Sequence, residues 1–121
     1  MIILNLIVSG EEQAKAMARC LLRANYAVQV VVSKPSTLIE LDAAGGEVRA
    51  EINNILFATK SVVFNEIEEY LKKEFPQADF CMYAAPAIHI NNPFYDKIRS
   101  TVPGNLTIKN MLKENGNSLP N

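Results

Sequence analysis

The amino-acid sequence predicts an α+β domain in which two amphipathic helices cover one face of a four-stranded antiparallel sheet. Apolar residues alternate over short segments, as in strands, and recur every three or four residues over longer ones, as in helices. These segments follow one another in the order strand, helix, strand, strand, helix, strand. At 121 residues the chain has room for a single hydrophobic core, so we expect one domain rather than two.

The first strand and the first helix have the clearest patterns. Residues 2–8 are rich in branched apolar side chains and are followed by Ser9 and Gly10, which is typical of a buried strand that ends in a turn. From about Glu11 to Asn25 the apolar residues keep helical spacing, with acidic residues at the expected helix N-terminus. The apolar positions of this helix are Ala14, Met17, Ala18, Leu21 and Leu22.

The middle of the chain predicts a long hairpin. A second strand is expected from Tyr26 to Ser33 and again from Thr37 to Leu41, with Pro35 marking an edge, a bulge or a bend. Residues 43–46 (Ala-Ala-Gly-Gly) provide the backbone freedom that a reversal needs. A third strand is expected from Glu47 to Lys60, so that the second and third strands pair with each other.

The last third predicts a helix, a strand and a short helical segment. The second helix begins near Ser61 or Asn65 and ends at Phe75-Pro76, because proline interrupts helices. A fourth strand is expected over residues 79–90, and a short C-terminal helix from Asn92 to about Ser100. This order of elements is that of a ferredoxin-like βαββαβ sandwich.

The end of the chain differs in composition from the rest. From Lys109 to Asn121 it is polar and contains two Gly-or-Pro breaks. We therefore expect a folded domain over residues 1–102 and a polar tail over residues 103–121 that is partly disordered.

Both faces of the expected sheet are apolar. In the first strand Leu4 and Leu6 lie on one side, and Ile3 and Ile7 lie on the other. The two helices can cover only one face, and large contiguous apolar patches are uncommon on monomers. We therefore expect sister subunits to cover the second face.

Charge and composition exclude several functional classes. Lys and Arg number 12 and Asp and Glu 13, so no net field attracts a nucleic-acid backbone. No apolar run approaches the roughly 20 residues of a membrane-crossing helix, and the first residues are not typical of a secretory signal. We expect a cytoplasmic protein that binds neither nucleic acid nor membranes. Cys20 and Cys81 are widely separated, and we interpret both as buried free thiols.

Several short segments between residues 3 and 99 match one family in order and in approximate spacing. They are Glu11-Glu12, Gly46-Glu47-Val48, Thr59-Lys60 with Phe64, Pro76, Ala84-Ala85-Pro86 with Ile88, and Asn92 with Tyr95. In these segments the chain resembles the CutA family, the divalent-cation-tolerance proteins, which are trimers similar in shape to the PII nitrogen regulatory proteins. The resemblance implies a homotrimer that takes part in the response to metal ions.

Other positions depart from the family pattern. Gln29 stands where the family usually has a cysteine, Phe75-Pro76-Gln77 replaces a His-Pro-Tyr segment, and Phe80-Cys81 replaces Pro-Glu. Copper and other soft or borderline divalent ions prefer thiolate, thioether or imidazole ligands. The resemblance therefore implies a divergent member in which the metal-binding residues of the family are largely replaced. A divalent metal ion such as copper stays a candidate cofactor.

Five residues are candidates for binding a metal or a small molecule. Cys81 and His89, the only histidine, share a face of the expected fourth strand and would ligate a metal if the strand bends or neighbouring chains contribute. The alternative is that His89 is a strand-end residue hydrogen-bonded to backbone. Lys34, Arg49 and Lys60 lie near strand ends, where a cleft between subunits could hold an anionic metabolite. The alternative is that these cations are solvated edge charges.

No segment of the sequence carries a known catalytic motif. An acylphosphatase on this fold needs a glycine-rich phosphate cradle with an arginine after the first strand, and residues 8–12 (Val-Ser-Gly-Glu-Glu) do not provide it. An RNA-binding module needs paired aromatic residues on a basic sheet, which are missing here. We therefore expect a CutA-like protein without enzymatic activity. A PII-like small-molecule sensor or signalling scaffold is the alternative.

Overall fold

The structure, a computed structural model, describes residues 1–104. Its elements are β1 (Ile2–Val8), α1 (Glu11–Arg23), β2 (Val31–Val32), β3 (Ser36–Leu41), β4 (Glu47–Thr59), α2 (Phe64–Glu74), β5 (Phe80–Pro86) and α3 (Asn92–Thr101). A single 3₁₀ turn, Ser61–Val63, leads into α2. The expected polar tail, residues 103–121, falls almost entirely outside the described residues. Within the described part of the chain, every helix is too short or too polar to cross a membrane.

An antiparallel sheet contains all five of these strands. Its order is β2-β4-β1-β5, and β3 pairs with the part of β4 that extends beyond β1. Strand β1 lies in the centre, where each of its 7 residues has a partner in both β4 and β5. This arrangement confirms the predicted α+β, ferredoxin-like fold class.

The hydrophobic core lies between the sheet and the helices. Leu4, Leu6 and Val8 of β1 are at most 1% exposed and alternate with less buried neighbours. They form one cluster with the apolar stripes of α1 and α2, which include Met17, Leu21, Ile67 and Leu71. Burying a side chain of this size contributes about 1.5–3 kcal/mol, so truncation of Leu6 to alanine would remove a substantial part of a small domain's stability.

Helix α1 lies between two residues with positive φ. Gly10 precedes the helix with a φ of 96°, a conformation that glycine adopts without steric cost. Asn25 follows the helix with a φ of 63°, and the amide of Tyr26 donates to the carbonyl of Leu21 at 3.0 Å. This closure is a common way to end a helix, and it explains why α1 stops at Arg23 rather than at the predicted Asn25.

The prediction for the second strand is confirmed over Thr37–Leu41, which lie in β3, but is wrong over most of Tyr26–Ser33. In that first part only Val31 and Val32 pair with β4 as strand residues. The carbonyl of Tyr26 instead accepts a hydrogen bond from the Thr59 hydroxyl at 2.7 Å, because this part of the chain enters the core rather than following the sheet edge. The expected break at Pro35 is confirmed, since strand pairing is interrupted between β2 and β3.

Strand β5 ends at Pro86, well before the predicted end at Ile90. Its partner β1 begins at Ile2, which pairs with Pro86, and beyond this pair only the amide of Ala87 donates to the carbonyl of Met1, at 3.1 Å. The residues after Pro86 form a connection to α3. The expectation that His89 alternates with Cys81 on one strand face is therefore wrong.

The predicted hairpin is confirmed and extends beyond the main sheet. Here it is called the hairpin arm: β3 together with residues 47–52 of β4, which pair with each other from Ser36 to Leu41. At its tip the Asp42 carboxylate accepts hydrogen bonds from the amide of Gly46 at 2.7 Å and from that of Ala44 at 3.0 Å. The exposed large apolar residues of the arm are Ile39, Leu41 and Val48.

Candidate functional site: an open sheet face and a cationic cleft

The sheet face that points away from Leu4 and Leu6 is here called the open face. Side chains alternate along a strand, so every residue in register with Ile3, Asn5 or Ile7 belongs to it. The open face consists of Ile3, Asn5, Ile7, Val31, Asn54, Leu56, Ala58, Cys81, Tyr83 and Ala85.

Large side chains of the open face remain exposed in the single chain. Val31 is 59% exposed and its partner Leu56 is 40% exposed, and Tyr83 is 53% exposed. Val31 and Leu56 are direct neighbours in register, and exposed apolar clusters mark association surfaces on soluble proteins. The second apolar face that the sequence predicts is thus present in the structure.

Helix α3 covers one part of the open face. Phe94 of this helix lies with Ile3, Val31 and Leu56 around a shallow depression of about 160 Å³. Cys81 lies elsewhere on the face and is exposed. The prediction of two buried thiols is therefore wrong for Cys81, which points away from the core, while Cys20 is half-buried on α1.

A polar pair lies in the middle of this apolar face. The amide nitrogen of Asn5 donates to the hydroxyl oxygen of its cross-strand neighbour Tyr83 at 2.6 Å. The amide oxygen of Asn5 is shielded from solvent and has no hydrogen-bond partner among the described residues. Sequence patterns did not predict this pair, although Asn5 is the only polar residue within the apolar run of β1.

The structure does not bring Cys81 and His89 together within one chain. Cys81 pairs with Ile7 near one end of β1. His89 lies three residues after Pro86, which pairs with Ile2 at the other end of β1. Five residues of extended strand alone span about 17 Å, far beyond the reach of one metal ion. Among residues 1–104, no group of three or more His, Cys, Asp or Glu side chains could hold a metal.

His89 and Lys60, two of the five candidate residues, instead line two adjoining depressions at the start of β1. The first, of about 300 Å³, is lined by Met1, Ala87, Ile88, His89, Ile90, Asn92 and Tyr95. The second, of about 270 Å³, is lined by Met1, Lys60, Ser61, Val62, Tyr95, Arg99 and Gly104. Because the two depressions share Met1 and Tyr95, we treat them as one surface feature, here called the cationic cleft.

Lys60 has a structural role in addition to its place in the cleft. Its ammonium group donates to the carbonyl of Val102 at 2.7 Å and to that of Arg99 at 2.8 Å. These carbonyls belong to the last turn of α3 and to the residue after it, where backbone acceptors lack helical partners. Lys60 thus fixes the end of α3 to the end of β4.

The other two candidate cations lie far from Lys60. Arg49 is exposed on the hairpin arm and forms a 2.7 Å ion pair with Glu47. Lys34 is exposed in the connection between β2 and β3. Arg49 and Lys60 are separated by eleven residues of nearly continuous strand, about 37 Å, so the three cations cannot line one site within a single chain.

Comparisons with known proteins gave matches only among solved structures. No protein-family profile matches the sequence, and no curated protein sequence matches it significantly. The chain is similar to the divalent cation tolerance protein of Thermus thermophilus, with 24% identity, a TM-score of 0.74, and coverage of 84% of this chain and 99% of that one.

Two further solved structures give the same result. One is CutA of Synechococcus elongatus complexed with a Bis-Tris molecule, at 21% identity and a TM-score of 0.72, covering 83% of this chain and 91% of that one. The other is the periplasmic divalent cation tolerance protein CutA of Archaeoglobus fulgidus, at 24% identity and a TM-score of 0.70, covering 84% and 99%. The resemblance deduced from short sequence segments is therefore confirmed in three dimensions, and the chain has the fold of the CutA divalent cation tolerance proteins.

Proposed function

We propose that this chain forms a CutA-like homotrimer that takes part in the response to divalent metal ions. The observation that carries the proposal is the open face, which exposes large apolar side chains on a fold shared with divalent cation tolerance proteins. Sister subunits about a threefold axis would remove this surface from water. The interior of the trimer would then be built from the sheets, with α1 and α2 outside.

The metal component of this function rests on residues from different chains. Within one chain Cys81 and His89 are too far apart to share an ion, and most of the soft donors of the family are replaced, for example by Gln29. Cys81 lies on the open face, so three copies would approach one another in the trimer. A thiol cluster of this kind suits copper, which prefers soft ligands.

Calorimetric titration with Cu²⁺ and Zn²⁺ on the chelator-treated full chain tests the metal component. We expect Cys81→Ser to abolish Cu²⁺ binding, and Cys20→Ser to leave it unchanged, because Cys20 lies on α1 away from the open face. His89→Ala tests whether the imidazole contributes a ligand. Stoichiometric binding that survives both Cys81→Ser and His89→Ala would contradict the proposed ligands.

A second candidate function is a PII-like small-molecule sensor or signalling scaffold. It is favoured by three cations near strand ends, Lys34 between β2 and β3, Arg49 near the start of β4 and Lys60 at its end. In this function Lys34, Arg49 and Lys60 of different subunits would surround an anionic metabolite. A trimer that binds no divalent ion in the titration would favour the sensor over the metal-response protein.

Both functions are non-enzymatic, and we place the protein in the cytoplasm. The sequence carries no known catalytic motif, which supports a non-enzymatic role. The near balance of 12 basic and 13 acidic residues supports neither nucleic acid nor a membrane surface as a partner.

A further inference from the structure

The cationic cleft combines cations with exposed apolar side chains. Arg99 and Lys60 line its second depression, and His89 lines the first. Among residues 1–104, those that line the cleft include no acidic side chain. Two cations that share a concave surface repel each other, and an anion placed between them would relieve that repulsion.

Both cations have donor groups left for a ligand. Lys60 uses two hydrogen bonds for the carbonyls of Arg99 and Val102, and an ammonium group has three N–H donors. The Arg99 guanidinium forms no ion pair with any carboxylate of the described residues. Its planar fork suits the bidentate recognition of a carboxylate or a phosphate.

The rest of the cleft offers an apolar surface. Ile88 is 82% exposed, Val62 is 56% exposed and Tyr95 is 40% exposed. The combined size of the two depressions, about 300 and 270 Å³, is in the range of small-molecule sites. Apolar walls next to convergent charged donors are the usual composition of such sites.

We propose that the cationic cleft binds a small organic anion. The carboxylate or phosphate lies against Arg99 and the remaining N–H of Lys60, and the apolar or aromatic part of the ligand lies against Tyr95 and Ile88. Residues of this chain provide both the cations and the apolar surface, so the site does not require a bound metal. It goes beyond the metal response and can be tested separately from it.

The test titrates phenyl phosphate, benzoate and the neutral benzyl alcohol into the isotope-labelled, metal-free full chain, followed by NMR. We expect both anions to shift the amide signals of residues 60–62, 88–95 and 99, and benzyl alcohol to leave them unchanged. The stronger of the two anions identifies the acidic group that the cleft prefers. Inorganic phosphate should bind more weakly than phenyl phosphate, because it lacks the ring that contacts Tyr95.

Variants assign the roles within the cleft. Arg99→Gln should weaken phenyl phosphate binding about tenfold or more, since it removes a charged bidentate donor. The matched control Arg19→Gln should bind like the wild type, because Arg19 is exposed on α1 and does not line the cleft. Tyr95→Ala should weaken phenyl phosphate binding without changing the affinity for inorganic phosphate.

Three results would overturn the proposal. They are the absence of shifts at millimolar anion, equal binding of benzyl alcohol and phenyl phosphate, and equal loss of affinity in Arg99→Gln and Arg19→Gln. None of them affects the metal titration or the mass of the assembly, so the failure of this inference is distinguishable from failure of the proposed function.

Discussion

The ammonium nitrogen of Lys60 lies 2.7 Å from the carbonyl oxygen of Val102. Lys60 directly follows β4 and Val102 directly follows α3, so this hydrogen bond joins the central hairpin to the C-terminal helix. Val102 and Ile98 are almost completely buried, which means that the position of α3 affects the core. A cation at this helix end also interacts favourably with the helix dipole.

We expect Lys60→Met to destabilise the protein by about 1–3 kcal/mol. The substitution keeps the length of the side chain but leaves the carbonyls of Arg99 and Val102 without their donor. Urea denaturation at a fixed protein concentration measures the change. Lys97→Met, an exposed position on the same helix, is the matched control and should change the free energy of unfolding by less than about 0.5 kcal/mol. Equal effects of the two substitutions would show that Lys60 does not hold α3.

A second prediction concerns the pH dependence of stability. Burial raises the pKa of the Tyr26 phenol above its usual value, and the hydrogen bond from its hydroxyl to Glu66, at 2.5 Å, raises the pKa further. A raised pKa in the folded state means that this group's contribution to stability is complete below the pKa of the unfolded chain, about 10. Its contribution then decreases as the pH rises above that value.

Tyr26→Phe should therefore cost more stability at about pH 8 than at about pH 10.5, because the wild type loses the contribution of Tyr26 as the pH rises. Burial also raises the pKa of Tyr70, which packs edge-on against Tyr26 and still titrates in the variant. The difference in the free energy of unfolding between wild type and variant therefore reports the contribution of Tyr26. Tyr95→Phe, at an exposed position, is the control. If Tyr26→Phe loses the same amount of stability at both pH values, the ionisation of Tyr26 is not linked to folding.

A third prediction uses two leucines with nearly equal exposure in the single chain. Leu56 on the open face is 40% exposed, and Leu22 on α1 is 38% exposed. If sister subunits cover the open face, Leu56→Glu places a charge in an apolar interface and should dissociate the assembly at micromolar concentration. Leu22→Glu should leave it intact. Size-exclusion chromatography with light scattering separates the two results, and dissociation by Leu22→Glu alone would place the interface on the helices.

The Asn5 amide leads to a fourth prediction. Its oxygen is buried without a partner among the described residues, and such an orphaned acceptor costs about 1–3 kcal/mol. Asn5→Val removes this acceptor and adds a β-branched residue to a central strand, so we expect stability to be unchanged or to rise by about 1 kcal/mol, despite the loss of the hydrogen bond to Tyr83. Asn54→Val, on the neighbouring strand of the open face, is the control. A loss of more than about 2 kcal/mol in Asn5→Val would mean that the oxygen has a partner in the assembly.

Local patterns were sufficient to predict most of the fold. The helical spacing from Glu11 onwards, the break at Pro35 and the glycines at the hairpin tip each correspond to an element or a turn of the structure. The errors occur where tertiary pairing decides the outcome. Tyr26 has strand-like neighbours, but its carbonyl is hydrogen-bonded to Thr59 in the core. Strand β5 ends at Pro86, and after it only Ala87 is still hydrogen-bonded to the start of the chain, at Met1.

The candidate site was less predictable than the fold. The apolar open face follows from period-two alternation, which the sequence displays directly. By contrast, the proximity of Lys60 and His89 depends on where β4 ends relative to the connection before α3, and no local pattern encodes that distance. The ion pair of Arg49 with Glu47 and the helix-capping bonds of Lys60 likewise depend on side-chain geometry.

We propose above that copies of this chain bury the open face about a threefold axis. Sedimentation equilibrium of the full chain over a range of concentrations tests it most directly. We expect a single species of three times the chain mass of 13.4 kDa that persists at micromolar concentration. A mass of one chain under the same conditions would contradict it, because Val31, Leu56 and Tyr83 would then face water.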